Sequence, residues 1–182
     1  MRIQCRTRIM AFLLILFPLA GCSSYKAAQP LDHTVSSVDL ERYMGKWYEI
    51  ASFPNWFQRN CFCSAAEYTM KDGFVEVRNS CRKESPNGAA DVAVGKAYTV
   101  PGSNNSKLKV QFQWPFKGDY WIIALDENYR YVMVGHPKRK YLWILSRTTQ
   151  MDDATFERLK EIARSRGYDV GRLQKTDHAC GG

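Results

Sequence analysis

Histidine is scarce in this chain: three residues, His33, His136 and His178, are scattered over 182 positions. Metal-ligand spacing needs clustered donors, so no metal is expected. Catalytic pairings are equally thin. Ser64 and Ser146 have no histidine at a recognised spacing, and Glu49, Glu67 and Glu76 fall on strands of mixed parity. Without a nucleophile and base or paired carboxylates, the expectation is a protein that is not an enzyme, with no catalytic residue and no cofactor. Charge of one sign is modest. The formal net charge of +8 falls to +5 when Arg2, Arg6 and Arg8 are removed, and the densest run, Lys138-Arg139-Lys140, reads as a solvated turn. That excludes nucleic acid as an expected partner. The apolar run Ile9 to Leu16, followed by Pro18 and Gly21, is too short and too interrupted for a spanning helix.

What the leader does contain is three arginines without an acid, the apolar run, and then Leu19-Ala20-Gly21-Cys22. This is the anatomy of an export signal, taken as residues 1–21. Leu-Ala-Gly-Cys resembles the lipobox of bacterial lipoproteins. The resemblance implies acyl chains on Cys22, several of which anchor firmly where one alone is marginal. Ser23 stands where Asp would retain such a lipoprotein in the inner membrane, so it implies the outer membrane of a Gram-negative bacterium, with the domain facing the periplasm. Residues 22–36 form the lipidated start and a tether, and 37–182 form one domain with one core.

Six cysteines become four once Cys5 leaves with the leader and Cys22 is acylated. In an exported protein Cys61, Cys63, Cys81 and Cys180 point to two disulfides, with three connectivities open. The alternation of apolar and polar residues then marks strands at Trp47–Phe53, Cys63–Met70, Phe74–Cys81, Val92–Val100, Leu108–Phe112, Tyr120–Leu125, Tyr131–Val134 and Tyr141–Ser146. Asp72-Gly73 signals a tight hairpin, because both residues tolerate positive φ. Eight strands joined by short turns suit an all-β, eight-stranded antiparallel up-and-down barrel without free edges. From Asp152 to Arg166 the period changes: Phe156, Leu159, Ile162 and Ala163 recur at helical spacing, with Asp152 or Asp153 as N-cap and Gly167 closing the end. One amphipathic C-terminal α-helix must pack outside the barrel, and Tyr168–Val170 reads as a short ninth strand.

Three motifs occur in order. Gly45-Lys46-Trp47 opens the first strand, Asp126 and Tyr129 lie on the turn after the sixth, and Arg147 follows the eighth. Together they resemble the signature of the lipocalins, and most nearly the bacterial lipocalins, relatives of apolipoprotein D and the plant temperature-induced lipocalins. The resemblance covers about Leu40 to Cys180. These motif residues are structural: Arg147 can lie across the Trp47 indole and cap carbonyls at the closed barrel end. They imply the fold and leave the ligand to the cavity.

The resemblance points Tyr68, Asn79 and Trp143 inward, and strand parity then adds Ala66, Met70, Val75, Val77 and Leu145. Leu108, Val110 and Phe112 form the apolar face of strand five, and Tyr120 with Ile122 is chosen over Trp121 with Ile123. Gly95 and Ala97 leave volume if they face inward. Phe53-Pro54-Asn55-Trp56-Phe57 lies where the family has its lid. An apolar and aromatic set with a few polar groups suits a fatty acid or lysophospholipid-like ligand, stored or transported. The alternatives are a structural envelope lipoprotein with a packed barrel, or a lipid-modifying enzyme, and the oligomeric state stands open between monomer and homodimer. A two-residue turn at Asp72-Gly73 sets Ser64, not Cys63, opposite Cys81. Resemblance to apolipoprotein D favours Cys63 with Cys180 and Cys61 with Cys81, the latter needing a bulge in strand two; Cys63 with Cys81 and Cys61 with Cys180 is the alternative.

Overall fold

A computed structural model describes residues 33–180. The expected signal segment, Cys22 and most of the tether lie outside the described residues. The chain begins with a single helical turn, α1 (Leu40–Tyr43), capped by Asp39, whose carboxylate accepts from the Glu41 and Arg42 N–H groups. Eight strands follow: β1 (Gly45–Ser52), β2 (Cys61–Lys71), β3 (Phe74–Lys83), β4 (Ala90–Thr99), β5 (Lys107–Gln113), β6 (Phe116–Leu125), β7 (Tyr131–Gly135) and β8 (Leu142–Ser146). Each pairs antiparallel with the next, and β1 pairs with both β2 and β8, which closes the barrel. Among the described residues closure leaves no long unpaired edge. The Asp72-Gly73 turn is as expected, with Lys71 opposite Phe74 and Gly73 at φ +79°.

Two apolar layers form because the strands alternate. The inward layer includes Trp47, Tyr68, Val75, Val77, Leu108, Ile122, Val132 and Leu145. The outward layer carries Ile123, Met133, Leu142 and Ile144, which meet Phe156, Leu159 and Ala163 of α2 (Asp153–Ser165). Asp152 is the N-cap, accepting from Thr155 N–H at 2.8 Å, and Gly167 takes φ +78° just past the helix end.

The ninth strand is not at Tyr168–Val170. It is β9 (Gln174–Lys175), alongside Ala51 and Ser52 of β1. Tyr168 is instead buried in the seam under α2, its hydroxyl donating to the His136 carbonyl, and Val170–Arg172 forms a 3-10 turn. Gly135 makes room for it, since a Cβ there would lie 2.0 Å from the Tyr168 hydroxyl. Beyond β9 the tail fills the gap where β1 and β2 diverge: Thr176 N–H donates to Ile50 O and Cys63 N–H to Asp177 O. Cys63 sits in a bulge at φ +52°, between the pairs Phe62 with Arg82 and Ala65 with Ser80. The bulge brings Cys61 to Cys81 and releases Cys63 to Cys180, and those are the two disulfides. The alternative of Cys63 with Cys81 and Cys61 with Cys180 is therefore corrected.

Candidate functional site

One end of the barrel is shut. Trp47 is fully buried, its indole N–H donating to Tyr43 O, and the Arg147 guanidinium lies 3.8 Å over its ring. Arg147 also donates to the carbonyls of Lys46 (2.9 Å), Arg42 (2.8 Å) and Tyr129 (3.3 Å), so one planar fork caps three chain segments. Asp126 accepts from Asn128 N–H, Arg130 N–H and the Arg130 guanidinium, whose hydrogen bonds hold its carboxyl well below the usual carboxylate range. Tyr129 takes φ +57° on that turn, and its hydroxyl accepts from Asp39 N–H. The motif residues thus fasten the floor to α1.

Above this floor is a cup. Tyr68, Val75, Leu108, Val110 and Tyr120 come together around a small cavity of about 10 Å³, with Leu40, Tyr43, Met44 and Ala97 completing its wall. Val77 and Ile122 lie in the same inward layer, as does Leu145. Asn79 and Phe112 sit higher. Asn79 pairs with Ala93, and Phe112 is 45 % exposed although its strand position faces the barrel axis. Ala93 and Gly118 face the axis too and are exposed, so the upper half of the barrel opens to solvent. Met70 shares the inward face of β2 but is exposed and stands apart from the buried layer.

The space expected at Gly95 is not free. A Cβ there would fall 2.8 Å from Phe112 Cδ1 and 2.7 Å from Gln111 O, so Gly95 is the seat on which the Phe112 ring lies. Ala97 faces inward and is buried against the floor. The open volume is opposite, at Gly118, where a Cβ would meet nothing nearer than Val110 O at 3.9 Å.

The mouth carries the loop expected to act as a lid, but only part of it covers the cup. Phe53 is buried in the outer seam, whereas Trp56 is 75 % exposed on a 3-10 turn, Trp56–Gln58, capped by Asn55. Gln58 ties that turn down. Its amide N–H donates to Glu49 Oε2 at 2.7 Å and its oxygen accepts from the Trp143 indole at 2.9 Å, while Phe57 and Tyr141 lie against the Trp143 ring. Glu49 is buried and also accepts from Ser52 and Thr176 hydroxyls. Sequence reasoning placed Glu49 on a strand of mixed parity, and the cause is a bulge between Glu49 and Ala51. Gln58 had no sequence signal beyond following the Trp56-Phe57 pair. Trp114 and Phe116, 83 % and 73 % exposed on the β5–β6 turn, add to the aromatic rim.

At the floor, three tyrosines missed as a group converge from α1, β2 and β6. Tyr120 Oη lies 2.7 Å from Tyr43 Oη and 2.8 Å from Tyr68 Oη. Burial pushes all three hydroxyls up, that of Tyr68 to about 12, so they stay protonated. A proline-free Asp39-Leu40-Glu41-Arg42-Tyr43 cap signature was the available cue for α1. Among the described residues no group of three histidine, cysteine or acidic side chains is placed to hold a metal.

The sequence profile of the Lipocalin-like domain matches residues 38–178. The chain is 43 % identical over 152 residues to temperature-induced lipocalin-1 of Arabidopsis thaliana, covering 78 % of this chain and 80 % of that one. It is 36 % identical to the outer membrane lipoprotein Blc of Escherichia coli K12, covering 91 % and 93 %, and 32 % identical to apolipoprotein D of Mus musculus, covering 94 % and 97 %. Among solved structures, insecticyanin from Manduca sexta superposes with a TM-score of 0.69 at 23 % identity, over 86 % of this chain and 90 % of that one, a likeness of fold. A closed eight-stranded barrel, a helix against its outer face, the Trp47–Arg147 stack at its shut end and these matches establish that the chain belongs to the lipocalin family.

Proposed function

We propose that this protein is a lipid-binding lipocalin that stores or transports a fatty acid or a lysophospholipid-like ligand, held at the outer membrane through an acylated Cys22 after cleavage of residues 1–21. The observation that carries the reading is the cup itself. Its lower wall is apolar and buried, and its upper wall has small residues, Ala93 and Gly118, facing the axis and open to solvent. An acyl chain would lie along Val75, Val77, Leu108, Val110 and Ile122, with its polar head among Asn79, Gln58 and Trp143 at the mouth. Among the described residues no nucleophile and base converge on the cup, which favours binding over catalysis. The relative Blc is named an outer membrane lipoprotein, which supports the location, and Leu19-Ala20-Gly21-Cys22 supports the anchor.

The packed-barrel reading has one observation of its own, the small floor cavity of about 10 Å³. Titration decides between them. Trp143 sits at the mouth with its indole on Gln58, so adding a long-chain fatty acid should change its emission saturably. A flat isotherm for every acyl ligand at micromolar concentration favours the packed barrel, and recovery of a chemically altered lipid after incubation favours an enzyme.

A further inference from the structure

The three most exposed large apolar side chains among the described residues, Trp114, Trp56 and Phe116, all stand at the open mouth. Trp56 is on the connection from β1 to β2 and the other two are on the turn from β5 to β6, on opposite sides of the barrel by the strand order. Rings left in water at two separated tips span the opening rather than forming a patch on its flank. Cations stand beside them. The mouth connections, residues 53–60, 84–89, 114–115 and 136–141, carry Arg59, Lys138, Arg139 and Lys140 against one acid, Glu84, and Lys117 follows Phe116 directly. The connections at the shut end, residues 72–73, 100–106 and 126–130, have the opposite balance: Asp72, Asp126 and Glu127 against Arg130. Arg59, Lys117, Lys138 and Lys140 are exposed, and none of them forms an ion pair among the described residues. The nearby acids Asp91 and Asp119 are already matched by Lys83 at 3.6 Å and Lys109 at 2.5 Å.

We infer that the mouth of the barrel is a docking surface for an anionic phospholipid bilayer, entered by Trp56, Trp114 and Phe116 and steered by the cations around them. This rests on the proposed lipid-binding function and adds where the lipid is exchanged. Rings beside Lys and Arg suit the boundary of a bilayer, where the aromatic body leaves water while ammonium and guanidinium groups meet phosphates. A second copy of the chain fits the same rim poorly. A face-to-face pair related by two-fold symmetry would set one ring of cations against its own image, whereas an anionic surface neutralises them. The tether permits the geometry. Cys22 lies eleven positions before His33, and the first described residues enter at the shut end, where the Thr34 hydroxyl bonds that of Ser106 and Val38 N–H donates to Asn104 O. Eleven residues reach at most about 36 Å, more than the roughly 25 Å height of a tilted strand the length of β3. An acylated Cys22 and the mouth can therefore sit on one membrane, and an acyl chain can cross between bilayer and cup without passing through water.

The test sediments the mature chain, residues 22–182 with Cys22→Ser so that no acyl group contributes, with vesicles of phosphatidylethanolamine and phosphatidylglycerol or of phosphatidylcholine alone. The unaltered rim should carry the protein onto the anionic vesicles, and added salt should release it. Trp56→Ser/Trp114→Ser/Phe116→Ser should lower the partition by about a hundredfold, because three side chains each lose part of their burial. Arg59→Glu/Lys117→Glu/Lys138→Glu keeps the rings and should abolish the preference for phosphatidylglycerol. An unchanged partition in the ring variant, a preference that survives charge reversal, or no binding of the unaltered rim to either vesicle overturns the docking surface. So does a ring variant that splits a dimer in sedimentation velocity while still binding vesicles, since the rim is then an interface between copies. Vesicle partition reads the rim and the fatty-acid titration of Trp143 emission reads the cup, so the two readings fail separately, and both variants should keep that titration.

Discussion

Removing the two disulfides one at a time should reveal their unequal loops. Cys63–Cys180 spans 117 residues and Cys61–Cys81 spans 20. In the chain-entropy account, cross-linking the unfolded chain stabilises the fold by about 5 kcal/mol for the long loop and about 3 kcal/mol for the short one. The two bridges hardly overlap, since a path from Cys63 to Cys180 through the Cys61–Cys81 link still runs for about 100 residues. On this basis Cys63→Ser/Cys180→Ser should cost 1 to 2 kcal/mol more than Cys61→Ser/Cys81→Ser, on the order of the logarithm of the loop ratio. The native side reinforces the order. The long bridge holds the tail that supplies β9, the Thr176 contact to Glu49 and the Asp177 carbonyl that accepts from Cys63 N–H. Urea denaturation under oxidising conditions measures both variants, and each should also show a steeper denaturant dependence, because its unfolded chain expands. The reasoning is refuted if the short-loop variant loses more stability, or if the long-loop variant loses less than about 1 kcal/mol.

Other outcomes follow from single contacts. Arg147→Lys keeps the charge but not the fork over Trp47, and should lose on the order of 2 kcal/mol in the same urea assay. Because the Asp126 carboxyl is held below its ordinary range by Arg130, its contribution is complete above the unfolded value near 4 and is lost as pH falls through the lower folded value. The melting difference between wild type and Asp126→Asn should therefore be full at neutral pH and shrink below about pH 4, and a constant gap contradicts it. Gly118→Phe adds a ring where there is open space, so fatty-acid affinity should drop at least about tenfold while the thermal midpoint stays nearly unchanged. Gly135→Ala, by contrast, meets the Tyr168 hydroxyl and should lower the midpoint without altering ligand affinity.

Period was the legible quantity. Leu108, Val110 and Phe112 against Lys107, Lys109 and Gln111 declare two faces of a strand, and Phe156, Leu159 and Ala163 declare a helix, because each pattern repeats often enough to outweigh accident. Elements too short to repeat were hidden. The four residues of α1 show only an Asp39 cap, and the two exposed residues of β9 show no alternation. Parity also fails silently at bulges. Ile50 and Ala51 are adjacent yet both enter the outer layer, an arrangement that alternation forbids and the shift between Glu49 and Ala51 creates. The Gly95 space was misjudged for a different reason: whether a missing side chain leaves a void depends on which ring crosses from the next strand, and Phe112 does.

The polar groups inside the barrel divide the same way. At the mouth, the buried Glu49 carboxylate gathers Ser52 from β1, Gln58 from the lid turn and Thr176 from the tail, and Gln58 passes the connection on to Trp143. Each of these donors is neutral and each comes from a different segment, so the carboxylate is satisfied only when strand, lid turn and tail are all in place. The floor network joins Tyr43, Tyr68 and Tyr120 to one another, while the mouth network ties strand, lid turn and tail to one carboxylate. Arg147 and Trp47 keep the bottom of the barrel closed, since opening it would expose the indole and release the backbone carbonyls of Arg42, Tyr43, Lys46 and Tyr129 together.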